Sequence, residues 1–256
     1  MDFQQTKMTS VVLYDWDGRV TPDDVVTLID EAFEILGEQP ERMFIGYEYG
    51  TRKERNVRYQ TGKMRVRDRL ADEYVYLSGV QLFEPRNVRD LQTDVCVKAN
   101  RVPIFQVTWR TSQENLRSIE RLISLFCRLR TPRYGMAYRM PFAWGPSDYA
   151  GGVLKYGAPD AINGNTSSFS RAQRSGEIRA GRLRQLYPVN VLSSVHDATL
   201  IDGIPLSTWI SSTKNGRLVE ISGNSIWYVP QDRYQEITTI LKANDVFITG
   251  FDKEAE

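Results

Sequence analysis

Residues 10–37 read SVVLYDWDGRVTPDDVVTLIDEAFEILG and place a β-strand directly before an amphipathic helix. Residues 10–14 are rich in β-branched and aromatic side chains, which favour strands. The helix is predicted over 21–36, because Thr21 can cap its start, Pro22 suits its first turn and Gly37 can end it. Its apolar residues recur on one side of the helical wheel, so that side faces a core. They are Val25, Leu28, Ile29, Ala32, Phe33 and Leu36.

The remaining pattern adds two helices and six strands. The helices are predicted at 112–129 and 231–243, with Asn244 capping the second. The strands are predicted at 43–49, 74–82, 102–109, 135–142, 218–222 and 226–229, the last two joined by a Gly223-Asn224 turn. Most strands alternate apolar and polar residues, which indicates sheets with one solvated face. Because helices do not alternate regularly with strands, we expect an α+β fold with mainly antiparallel sheet and about three to five helices.

A chain of 256 residues fits one large domain. Residues 144–175 are rich in Gly, Pro, Ser and Asn, so we predict a long irregular loop at 143–175. The expectation is a single α+β domain over 1–256, with two sub-halves at about 1–142 and 176–256 as the alternative.

Composition narrows the class of protein. Hydrophobic residues make up 41% of the chain, which excludes wholesale disorder, and the net charge of +1 argues against a general polyanion binder. No apolar run is long enough to span a membrane, the first ten residues lack the features of a signal peptide, and Cys96 and Cys127 lie among apolar neighbours. We therefore expect a cytoplasmic protein in a reducing compartment.

Catalytic signatures are weak. Asp15-Trp16-Asp17-Gly18 follows a strand and resembles the first motif of haloacid-dehalogenase-type phosphatases, but Arg19 and Val20 depart from that pattern. Two carboxylates there could hold Mg²⁺ in a phosphatase-like enzyme, and Asp-Gly after a strand is also ordinary turn chemistry. His196, the one histidine, is interpreted as structural. Two cysteines and one histidine cannot form a structural zinc site. We expect no enzyme, metal or cofactor.

Charge is strongly segregated along the chain. Seven acids and no base lie between residues 20 and 41, and they fall opposite the apolar side of the first helix. Such a face could bind a basic partner, and we assign partner binding to Asp24, Asp30, Glu31, Glu34 and Glu38. Bases cluster at 52–69, where Arg65, Arg67 and Arg69 alternate as on a strand, and at 171–184. A nucleic-acid-binding module that uses these two segments is an alternative.

Three segments carry a resemblance to a known family. They are GRLRQLYPVNVLS at 181–193, GRLVEI at 216–221 and WYVPQD at 227–232. They are similar to immunity proteins of polymorphic toxin and type VI secretion systems, in the group encoded beside restriction-endonuclease-type nuclease toxins. The resemblance covers about 80 residues, and the matching residues look structural, so it transfers no inhibitory residue.

The resemblance implies stoichiometric inhibition of a cognate effector toxin, a nuclease. We expect the acidic helix to occupy the toxin's positive groove, with inhibition away from the active site as the alternative. Trp144, Tyr149 and Tyr156, expected to be exposed in the long loop, are candidates for the apolar centre of the contact. No membrane and no direct nucleic-acid partner are expected, and a homodimer is possible.

Overall fold

The computed structural model describes residues 6–47, 55–69, 74–82, 91–99, 102–111, 115–212 and 214–248. Within these ranges, ten strands form one sheet, in which every pair of neighbours is antiparallel. The strands of that sheet are β1 (Lys7–Tyr14), β2 (Arg42–Tyr47), β3 (Arg55–Arg58), β4 (Tyr74–Leu82), β5 (Leu91–Lys98), β6 (Ile104–Arg110), β7 (Tyr134–Pro141), β8 (Val189–Leu192), β11 (Arg217–Ile221) and β12 (Asn224–Tyr228). A separate hairpin pairs β9 (Leu200–Ile201) with β10 (Ile204–Pro205). The large sheet has the order β11-β12-β8-β7-β1-β6-β5-β4-β2-β3.

Helices cover both faces of this sheet. They are α1 (Pro22–Leu36), α2 (Tyr59–Arg69), α3 (Leu116–Cys127), α4 (Pro146–Gly151), α5 (Asp160–Ser175), α6 (Leu206–Ser212) and α7 (Tyr234–Ala243). The α+β, antiparallel prediction is confirmed, but these seven described helices exceed the predicted three to five. None of the described helices is long and apolar enough to cross a bilayer.

Strand β1 lies at the centre of the sheet and is buried on both faces. Val11 and Leu13 belong to the core beneath α1 and α3, whereas Val12 and Tyr14 belong to the core beneath α4 and α5. Alternate side chains of a strand point to opposite faces, so an unbroken apolar run such as VVLY requires a layer on each side. The expectation of one solvated face is therefore wrong at the centre of the sheet.

Helix α1 begins and ends where the sequence predicts. Thr21 and Asp24 form a reciprocal capping box, and Gly37 has a φ of 72°, which is the left-handed conformation that favours glycine. Asn244 also caps α7, because its side-chain amide donates to the Ile240 carbonyl at 3.1 Å.

Several local predictions are wrong. Arg65, Arg67 and Arg69, whose alternation is interpreted as that of a strand, lie in α2, and residues 143–175 contain α4 and α5 instead of an irregular loop. The polar sequence of α5 is helical because Phe169 and Ala172 pack into the core, which overrides weak propensity. The β11–β12 turn is formed by Ser222 and Gly223, one residue earlier than predicted. Strands from both proposed sub-halves join in the one sheet, through the β7–β8 pairing.

Candidate protein-binding surfaces

The two aspartates after β1 are bound by arginines. The Arg179 guanidinium donates to both oxygens of the buried Asp15 carboxylate, at 2.8 and 2.9 Å, and Arg133 donates to both oxygens of Asp17, at 3.0 and 2.9 Å. Asp15 itself has a φ of 53°, a conformation that aspartate tolerates in tight turns. Asp15 thus ties the end of β1 to the segment after α5, and Asp17 ties it to the start of β7. No group of three metal-ligating side chains occurs in the described ranges.

His196 is buried in the middle of a short 3₁₀ turn, residues 194–198. The Ser193 backbone N–H donates to its Nδ1 atom at 3.1 Å, and burial lowers the pKa of the imidazole to about 4. Nε2 has no hydrogen-bond partner among the described residues, while the neighbouring Asp197 is exposed. This arrangement fits the structural interpretation, because a histidine with so low a pKa is neutral at physiological pH.

The basic cluster at 171–184 is dispersed by folding. Arg184 is 0% exposed and lies between the rings of Tyr149 and Phe169, 3.6 and 4.2 Å from their centroids. It donates to the Asn165 side chain and to the Tyr149 carbonyl. Arg182 pairs with Asp245, and Arg179 pairs with Asp15. Arg171 and Arg174 remain exposed, so the segment presents less positive charge than its sequence indicates.

The basic segment 52–69 lies partly outside the described residues, including Arg52 and Lys53. Where it is described, Lys63 Nζ lies 2.5 Å from an Asp30 carboxylate oxygen, and Arg58 and Arg65 are exposed. Nucleic-acid binding through the two basic segments stays a prediction, because both of them keep exposed arginines.

Four of the five predicted acidic residues lie along the outer side of α1, and Glu38 follows its end, but they differ in how free they are to bind a partner. Asp24 belongs to the capping box, Asp30 pairs with Lys63, and Glu31 pairs with Arg128 at 2.9 Å. Glu38 accepts hydrogen bonds from the side chains of Gln92 and Thr93, which join the end of α1 to β5. Glu34 is exposed, and it forms no ion pair with any described residue.

The predicted aromatic residues lie on the opposite side of the sheet from α1. Tyr149 is only 2% exposed, and its hydroxyl hydrogen-bonds to that of Tyr187 at 2.7 Å, so the expectation that it is exposed is wrong. Trp144 is half-buried against the core beneath α4 and α5. Tyr156 is fully exposed, and the nearby residues Val153 and Leu154 are also exposed. The acids and the aromatic residues therefore do not form one contiguous patch.

A groove of about 450 Å³ lies beside α4, on the face of β2, β4 and β5 that is turned away from α1. Phe44, Tyr76, Val80 and Leu91 are among its lining residues. The Ser78 hydroxyl donates to the Asp94 carboxylate there, and burial raises the pKa of Asp94. The groove is a second candidate contact surface, because concave apolar surfaces with few polar groups are typical of binding sites.

Helix α3 carries a row of exposed arginines that the sequence-based predictions did not include. Arg117, Arg121 and Arg128 are all exposed, and their spacing of four and seven residues places them in one row along the outer side of the helix. This row lies beside the acids of α1, because α1 and α3 pack against each other. The periodicity of the polar residues in 112–129 could have revealed it.

No protein-family model matches the chain, and no curated protein matches it. Among solved structures, it is similar to the Pseudomonas aeruginosa T6SS protein PA0821, with a TM-score of 0.60 and 10% sequence identity. The match covers 94% of this chain and 73% of that protein. At this identity, the likeness establishes a shared fold.

Proposed function

We propose that this chain is an immunity protein, which neutralises a cognate T6SS effector by stoichiometric binding. The observation that carries the proposal is the fold shared with a T6SS protein over 94% of the chain. The immunity-type segments at 181–193, 216–221 and 227–232 support it independently. In the fold two of them contribute to the core, since Leu186, Tyr187 and Trp227 are buried, whereas the residues of 216–221 are half-buried or exposed.

The proposal also holds that the chain acts by binding and performs no chemistry. It is supported by the state of the side chains that could catalyse a reaction. Asp15 and Asp17 are bound by arginines, and His196 is buried. A phosphatase-like use of Asp15 would need its oxygens free for a cation, whereas Arg179 occupies both of them.

For the effector, we propose a nuclease whose positive groove is covered by the outer side of α1. Glu31 and Glu34 are the residues best placed for this role, since Glu31 is 42% exposed and Glu34 is exposed with no described ion pair. Negative charge on α1 would compete with phosphate groups and accelerate association. Glu38 is not part of this contact, because its carboxylate holds α1 to β5.

The test is co-expression of the chain with the toxin encoded by the neighbouring gene. We expect cells to survive and the two proteins to purify as a complex of defined stoichiometry. Glu31→Lys/Glu34→Lys should weaken the complex, whereas Tyr156→Ala, on the other side of the sheet, should not. The opposite result would move the contact to the groove side and refute occlusion by α1. Toxicity that the chain does not relieve would refute the immunity role.

A further inference from the structure

Two parallel rows of opposite charge run along the outer face of the α1–α3 pair. The basic row consists of Arg117, Arg121 and Arg128, of which Arg128 is 66% exposed. The acidic row lies on α1 and includes Glu31 and Glu34. Arg117, Arg121 and Glu34 form no ion pair with any described residue, so much of the charge of the two rows is not neutralised by the part of the chain that the structure describes.

The two helices run in opposite directions. Each follows a strand, α1 after β1 and α3 after β6, and these strands are antiparallel neighbours. Two contacts agree with this arrangement. Arg130, just beyond the end of α3, donates to the carbonyl of Arg19, which precedes the start of α1. At the other end of α1, Glu38 accepts a hydrogen bond from β5. The acidic and basic rows therefore lie side by side along the helices.

This arrangement is self-complementary. Consider a two-fold axis that lies above this face, parallel to the two helices and midway between them. Rotation about this axis places α1 of each copy over α3 of the other copy. Each acidic row then meets a basic row, and the helices that meet are antiparallel. Such a contact closes on itself, as two-fold interfaces do.

We propose that the α1–α3 face binds a second copy of this chain through these complementary rows. The 15 residues of α1 extend about 22 Å, and neighbouring helix axes lie about 10 Å apart. The contact therefore buries about 400 Å² per copy, or about 800 Å² in total, which is small for a stable interface. A weak dimer that dissociates in salt is expected, because exposed ion pairs are strongly screened.

This inference does not rest on the proposed function, since it concerns the chain alone. If both hold, the second copy covers the face that meets the effector, and effector binding displaces it.

Sedimentation velocity over a range of protein concentrations tests the proposal, at about 50 mM salt and again at about 500 mM, where the Debye length is only a few ångströms. We expect the mean sedimentation coefficient of the wild-type chain to rise with concentration at low salt and to stay at the monomer value at high salt. Arg117→Glu/Arg121→Glu and Glu31→Lys/Glu34→Lys should each remain monomeric. An equimolar mixture of the two variants should associate again, because one face is then acidic and the other basic.

A matched control separates this face from net charge. Arg174→Glu/Lys242→Glu removes the same charge on the other side of the sheet, where both residues are exposed. It should self-associate like the wild-type chain, and mixing it with Glu31→Lys/Glu34→Lys should give no association beyond its own. A wild-type chain that stays monomeric at low salt would overturn the proposal and leave the face to another protein. The proposal would equally be overturned if Arg117→Glu/Arg121→Glu and Glu31→Lys/Glu34→Lys both still self-associate, or if the mixture of these two variants stays monomeric.

Discussion

Acidification should weaken this protein through His196. The imidazole is 1% exposed, and burial lowers its pKa from 6.5 to about 4. Because the pKa is lower in the folded state, the unfolded chain binds a proton first as the pH falls. The stability associated with a neutral His196 is therefore complete above about pH 6.5 and is lost progressively towards pH 4.

The size of the effect follows from the two pKa values. The full difference between 6.5 and about 4 corresponds to about 3 kcal/mol. At about pH 5 the unfolded histidine is almost fully charged and the folded one is still mostly neutral, so about 2 kcal/mol has been lost. This is a large share of the free energy of unfolding of a typical domain.

Urea denaturation at about pH 8, 7, 6 and 5 measures this loss, with His196→Gln as the matched variant. Glutamine at this position can still accept the Ser193 N–H through its side-chain carbonyl, but it does not titrate. Other acids titrate in both proteins and cancel in the comparison. We expect the wild type to lose about 2 kcal/mol more than the variant between pH 8 and 5. Parallel stability curves would refute the assignment of a buried, neutral histidine.

Three further predictions concern stability. Arg184→Ala should lower the free energy of unfolding by about 4 kcal/mol in a urea titration, because it leaves a cavity between two rings and unpaired acceptors; a loss below about 1 kcal/mol would contradict this. Asp15→Asn should lower the free energy of unfolding by about 1–3 kcal/mol, measured by thermal denaturation, because it leaves Arg179 beside a neutral group. An unchanged melting temperature would show that the Asp15–Arg179 ion pair does not stabilise the fold. Glu38→Lys should cost about 1–2 kcal/mol while Glu34→Lys stays within about 0.5 kcal/mol, and equal effects in calorimetry would refute the distinction between them.

The β1–α1 unit could be predicted from sequence because its signals are local. The capping residues Thr21 and Gly37 lie within a few positions of the helix they limit, and the apolar side of α1 repeats with the helical period. The fold class followed from the order of the elements, because the helices do not alternate regularly with the strands. Helix α2 could not be predicted, since the alternation of Arg65, Arg67 and Arg69 resembles a strand. Among the side chains of α2 that the structure describes, only those of Tyr59 and Val66 belong to the core.

The candidate surfaces depended on contacts that no local pattern reveals. The acids of α1 were predicted correctly as a row, but their pairing with Lys63 and Arg128 joins residues far apart in the chain. Tyr149 was assigned to an exposed loop because its neighbours are polar, yet its ring packs on the buried Arg184, 35 residues later. Long-range packing of this kind is decided by the whole fold.

The most direct test of the central claim, that this chain neutralises by stoichiometric binding, is a titration of purified effector with the purified chain. Residual effector activity should fall linearly and reach zero at a fixed molar ratio, with both proteins recovered intact from the complex. Neutralisation of many effector molecules by one copy of the chain would contradict the claim, because it would require turnover.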